Sequence, residues 1–99
     1  MAELKEGVTL GYVPAMIHLM MTVDQVYRDH GYGCVITSGT DGAHKQGSLH
    51  YADRALDYRT RHVTPVDRQR LADEIARRLG AQYDVVLESD HLHVEWDPQ

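Results

Sequence analysis

Apolar positions along this chain change period several times, and each change marks an element. Met16, Leu19, Met20, Val23, Val26 and Tyr27 recur three and four apart, the spacing of a helix that buries one face. That helix is expected over Ala15–His30, with Pro14 at its N-terminus, where a missing N–H costs nothing, and Gly31 and Gly33 ending it. Gly33 to Thr37 is rich in β-branched residues and predicts a buried strand. Residues 38–49 break all periodicity with Gly, Ser, Asp and His, and a loop of that length in a small domain is usually functional or disordered. Arg54 to Tyr58 predicts a short strand. Thr64 is then an N-cap and Pro65 a first helical residue, Val66, Leu71, Ile75 and Leu79 give an apolar face, and Gly80 closes the helix. Tyr83–Glu88 and the alternating His91–Trp96 predict two strands joined at Ser89-Asp90. Residues 1–12 are mixed and predict an extended arm. The order helix, strand, strand, helix, strand, strand predicts an α+β domain, a small antiparallel sheet with two main helices.

Length and charge narrow the function classes. The 99 residues are enough for a single domain over 1–99, whose one core leaves a thin margin of stability. The formal net charge of -5 argues against an electrostatic nucleic-acid binder and against charge-driven attachment to anionic membranes or cell walls. No run is long and apolar enough for membrane insertion, and no signal peptide is visible, so synthesis in the cytoplasm is expected. The single Cys34 excludes an intramolecular disulfide, and its apolar setting predicts a small buried hydrophobe.

Seven His in so short a chain is a high count, but they are too dispersed for a tag or a His-rich tract. His50, Asp57 and His93 together supply two imidazoles and a carboxylate, a donor set suited to zinc with one position left open. Asp90 lies three residues before His93, placed to serve as a general base. Taken singly, His50 and Asp57 are ordinary surface residues. His91-x-His93 alone more naturally suggests that both imidazoles bind a metal, since alternation puts them on one strand face. His91 is a candidate to line the cleft and His44 to contact substrate. Ser48 is better suited to holding its loop by a local hydrogen bond than to acting as a nucleophile, because no base is paired with it.

The full pattern resembles the LAS zinc metallopeptidases, which include D-alanyl-D-alanine carboxypeptidases and the L-alanyl-D-glutamate endopeptidases used as phage endolysins. Ser48, His50, Ala55 and Asp57 match the first half of that family's signature, Ser-x-His-x-x-Gly-x-Ala-x-Asp. Asp90 and His93 match the second half, an acid, two residues and His, in a form similar to that of phage endopeptidases. Thr37-Ser38-Gly39 is similar to the sequence preceding the site, and the resemblance spans roughly residues 14–98. It implies a Hedgehog/D-Ala-D-Ala peptidase-like fold and one Zn2+ per chain on His50, Asp57 and His93. It also implies Asp90 as catalytic base and a peptidoglycan peptide as substrate. Two departures stand out. Asp53 replaces the signature Gly, and Thr40-Asp41 stands where members often carry a carboxylate-binding Arg. Substitute cations are available in Lys45, Arg54 and Arg59, and Arg54 is also a substrate-binding candidate beside Ser48, His44 and His91.

The expected function is therefore a zinc peptidase cutting stem or cross-bridge peptides, reaching the wall by lysis or as part of a phage particle. The alternative is a non-catalytic zinc-binding module of the same fold, similar in role to the Hedgehog signalling domain, acting in binding or in phage or cell-wall assembly.

Overall fold

The computed structural model describes residues 2–7, 14–39 and 54–98. Its elements are β1 (Glu3–Leu4), α1 (Pro14–Asp29), β2 (Val35–Ser38), β3 (Ala55–Arg59), α2 (Pro65–Leu79), β4 (Tyr83–Leu87) and β5 (His91–Trp96). The α+β class expected from the sequence is the class observed, and the described residues form five strands in the order β1-β2-β3-β5-β4.

The sheet differs from expectation in one respect. β2–β3, β3–β5 and β5–β4 pair antiparallel, but β1 pairs parallel with β2. The cause is topological: α1 lies between β1 and β2 in the chain, and a crossover of that length returns the chain to the same end of the sheet. Part of the extended arm is thus a strand. The Glu3 amide donates to the Cys34 carbonyl at 2.9 Å and the Lys5 amide to the Ile36 carbonyl at 3.0 Å.

Local chemistry accounts for the helix ends. After α1 the Tyr32 amide reaches back to the Tyr27 carbonyl at 2.9 Å, across Gly31 at φ 82°, a left-handed turn that glycine adopts without Cβ strain. Thr64 accepts from the Asp67 amide at 3.3 Å and Pro65 opens α2, as expected of a cap followed by an N1 proline.

Both helices pack on one face of the sheet. Leu19, Val23 and Tyr27 of α1 and Leu71 and Ile75 of α2 join Ile36, Leu56, Tyr58, Leu92 and Val94 in a single core. Cys34 belongs to it at 6% exposure, and burial pushes its thiol up to about 12, so it is the buried hydrophobe expected. The other strand parity, including Thr37, Asp57, Arg59, His91, His93 and Glu95, is left on the outer face.

Candidate metal centre

The candidate chemistry gathers on that outer face. β3 and β5 pair so that Asp57 lies opposite His93 and Arg59 opposite His91. Beside Asp57, β2 carries a register shift between Ile36 and Ser38, an extra residue of the kind that re-aims side chains near functional sites. Thr37 Oγ1 donates to the Asp57 carbonyl at 3.3 Å across this irregularity.

His93 Nδ1 is 2.9 Å from Asp57 Oδ1, and His93 Nε2 is 2.9 Å from Glu95 Oε1. His91 Nε2 approaches the same Asp57 oxygen at 3.7 Å, while its Nδ1 is 2.6 Å from Asp90 Oδ1. Two imidazoles therefore converge on one carboxylate oxygen, each with a second carboxylate on its far nitrogen. Asp57, His93 and Glu95 are half-buried, whereas the Asp90 side chain is 85% exposed at the β4–β5 turn. The Asp57 hydrogen bond holds the His93 imidazole above its ordinary titration range, burial works against this, and the Glu95 bond adds to it.

The described residues thus bring together Asp57, Asp90, His91 and His93 of the sequence candidates. His44, Ser48 and His50, with the substitute cation Lys45 and the departures at Asp41 and Asp53, lie outside the described residues. Arg54 is placed elsewhere. Its guanidinium stacks over the Trp96 ring, 5.2 Å from the centroid. Trp96 packs against the core, and Arg54 shares the strand parity of Leu56 and Tyr58, opposite to that of Asp57. Other histidines have local explanations. His30 pairs with Glu74 at 3.3 Å and His62 meets the Gly33 carbonyl at 2.7 Å.

Three features escaped the sequence reading. Glu95 was legible, because it alternates with His91 and His93 on β5 and so shares their face. Asp84, its register partner on β4, and Asp97 were not singled out. Asp84, Glu95 and Asp97 each bring a carboxylate oxygen within 4.8 Å of the others, a group that could hold a metal ion. Desolvation, then the neighbouring Glu95 and Asp97, raise the Asp84 carboxyl above its usual range, the response of crowded like charges. Last, a groove of about 340 Å3 is lined by Asp57, Asp90 and His91 together with Lys5, Thr37, Arg59 and Arg61. Lys5 gave no sequence signal, because a long-range strand pairing brings it there.

No protein-family model matches the chain, and a search of curated proteins gives no match either. Among the described residues, no helix is long and apolar enough to cross a membrane.

Proposed function

We propose that this chain is a zinc peptidase of the LAS type, with a Hedgehog-like fold, hydrolysing a peptide bond in peptidoglycan stem or cross-bridge peptides. The observation that supports this most is the meeting of Asp57 and His93, distant in sequence, at 2.9 Å on the outer sheet face beside Asp90 and His91. One carboxylate oxygen and the imidazole nitrogens facing it are the donor types zinc takes at about 2.0–2.2 Å. Asp57 and His93 would hold the ion together with His50. A zinc ion there, when bound, would polarise the scissile carbonyl and make water nucleophilic near neutral pH.

The chain's own groups do the remaining work. The Asp90 carboxylate takes a proton from the attacking water and returns it to the leaving amine, so the same oxygen serves both halves of the reaction. Its 2.6 Å bond to His91 Nδ1 fixes the carboxylate at the groove wall. Glu95 on His93 Nε2 fixes the tautomer that turns Nδ1 toward Asp57. The route to the wall is lysis or carriage in a phage particle.

The test is a pair of variants. Asp90→Ala is expected to keep about one zinc per chain while losing roughly 10²–10⁴-fold in hydrolysis of a muropeptide. His93→Ala is expected to lose the zinc itself. Full activity in Asp90→Ala would overturn the base assignment. A protein that takes up no zinc on titration would overturn the whole reading.

A second reading is a non-catalytic zinc-binding module. The 85% exposure of the Asp90 side chain favours it, since a base is normally more enclosed than this. Zinc bound stoichiometrically, with no hydrolysis of any muropeptide and no change on Asp90→Ala, is the outcome it requires.

A further inference from the structure

The two edges of the sheet are not alike. β1 at one end is two residues long, whereas β4 at the other runs over five residues, Tyr83–Leu87, in unbroken register with β5. The ladder shows which way the β4 backbone groups point. The Glu88 amide donates to the His91 carbonyl at 2.9 Å and the Asp97 amide to the Gln82 carbonyl at 2.7 Å. Residues alternate in an antiparallel ladder, so Asp84 and Val86 also turn their N–H and C=O groups toward β5. Val85 and Leu87 turn theirs the other way, and among the described residues no strand lies there. β4 holds no Pro, no Lys and no bulge, the devices that commonly close a strand edge.

Side chains along this edge carry a pattern of their own. Asp84, Val86 and Glu88 alternate on the outer parity, and all three are exposed, Val86 at 44%. Glu95 and Asp97 bring carboxylate oxygens within 4.8 Å of that of Asp84, which concentrates negative charge at one end of the stripe. On the other parity Tyr83, Val85 and Leu87 pack against the core but are only partly buried, so a strand laid beside them covers apolar surface. We propose that β4 is a docking edge for an extended segment of a basic protein partner. The segment pairs antiparallel with Val85 and Leu87, with Lys or Arg opposite Asp84 and Glu88 and an apolar residue opposite Val86. Opposite charges directly across an antiparallel pair stabilise it, and like charges oppose it. In a chain of formal net charge -5, the acidic stripe therefore discourages a second copy of β4 and admits a cationic strand. Backbone pairing supplies the attachment, and alternate side chains select the partner.

Neither zinc nor hydrolysis enters this proposal, so the test uses the metal-free chain. The probe is a capped peptide with the core Lys-Thr-Val-Thr-Lys, which sets its Lys residues against Asp84 and Glu88 and its two Thr amides against the open edge. Amide hydrogen exchange reads the pairing residue by residue. The Val85 and Leu87 amides are expected to exchange fast in the free chain and to slow about tenfold once the probe stands at ten times its Kd. The Asp84 and Val86 amides, already in the ladder with β5, are expected to change little. A probe with Glu in place of both Lys, and one with both Thr amides N-methylated, are each expected to lose the protection. Asp84→Asn and Glu88→Gln are each expected to weaken the probe severalfold, up to about fivefold, and both positions are exposed, so the variants keep the fold. Added salt is expected to weaken it further.

No slowing at Val85 and Leu87 with about millimolar probe overturns the proposal. So does equal binding of the Glu probe, which removes the charge complementarity. Unchanged binding of the N-methylated probe also overturns it, since attraction to the acidic stripe would then act without strand pairing. Protection of Val85 and Leu87 without any probe, rising with protein concentration alongside a dimer in sedimentation, would give the edge to a second copy instead.

Discussion

The two faces of this sheet are made by the same strands and do opposite things. On β5, Leu92 and Val94 point under the helices and are almost wholly buried, while His91, His93 and Glu95 point outward and are half-buried. On β3, Leu56 and Tyr58 go in, while Asp57 and Arg59 go out. On β3 and β5 the apolar side chains that join the core with the helices are of one parity, and the candidate metal-binding groups Asp57 and His93 are of the other. Stability and chemistry are thereby separated by one step along a strand, so a change on one face is expected to leave the other nearly untouched.

The largest effect that tests this separation comes from the inner face. Leu92→Ala, at 1% exposure in the core, is expected to cost about 2–5 kcal/mol, the range for an apolar side chain lost from a packed core. Urea denaturation of the metal-free protein measures it. His93→Ala, one residue away, is expected to cost under about 1 kcal/mol in the same assay, the usual size for a position outside the core. Equal losses would mean that the Asp57–His93 contact is a structural pair and that the faces are not independent.

Zinc affinity measured against a competing chelator sharpens the outer face. Glu95→Gln keeps the shape of the residue but removes the charge facing His93 Nε2, 2.9 Å away in the native chain. Carboxylates placed behind a ligating His are worth roughly 10–100-fold in metal affinity, and a loss of that size is expected here. An unchanged affinity would assign Glu95 to the neighbouring group with Asp84 and Asp97 instead.

Alternation carried much of this into the sequence. The five apolar positions of α1 that are buried were all among those picked out by helical spacing, and Thr64, Pro65 and Gly80 marked the limits of α2. The shared face of His91 and His93 followed from period 2, and so, unread, did that of Glu95. The displacement of Arg54 was legible in the same way, since it is three residues from Asp57 and strands reverse at each odd step. What no local pattern encodes is register. Asp57 meets His93 because β3 pairs with β5 at that alignment, and Lys5 reaches Arg59 and Arg61 because β1 joins β2 in parallel. Those pairings are set by how the whole core closes.

A smaller effect comes from an imperfection of the inner face. The Tyr58 hydroxyl is buried with no hydrogen-bond partner among the described residues, and burial drives its ionisation well above the ordinary tyrosine range. A buried hydroxyl left unsatisfied costs about 1–3 kcal/mol, so Tyr58→Phe is expected to be stabilising by up to about 1 kcal/mol once the small void left by the oxygen is subtracted. Thermal unfolding reads the sign directly. Destabilisation would show that the hydroxyl has a partner the native fold depends on.

The smallest effect is the pH dependence set by His93. Asp57 first and Glu95 second favour the imidazolium, burial opposes them, and the balance leaves the folded group above its ordinary 6.5. A folded value above the unfolded one means that the folded state holds the proton more tightly. That contribution is complete below about pH 6.5 and is lost as the pH rises through the higher folded value. Metal-free protein is therefore expected to lose stability across this interval, with His93→Gln flattening the slope. The difference between the two curves isolates the His93 contribution. Zinc reverses the sign, because a ligating imidazole must be deprotonated and binding then strengthens with pH. Metal-free and zinc-loaded proteins should diverge as pH rises, one falling and the other climbing. Parallel curves would mean that the proton and the metal do not compete for the same nitrogen, and His93 would then be a partner of Asp57 alone.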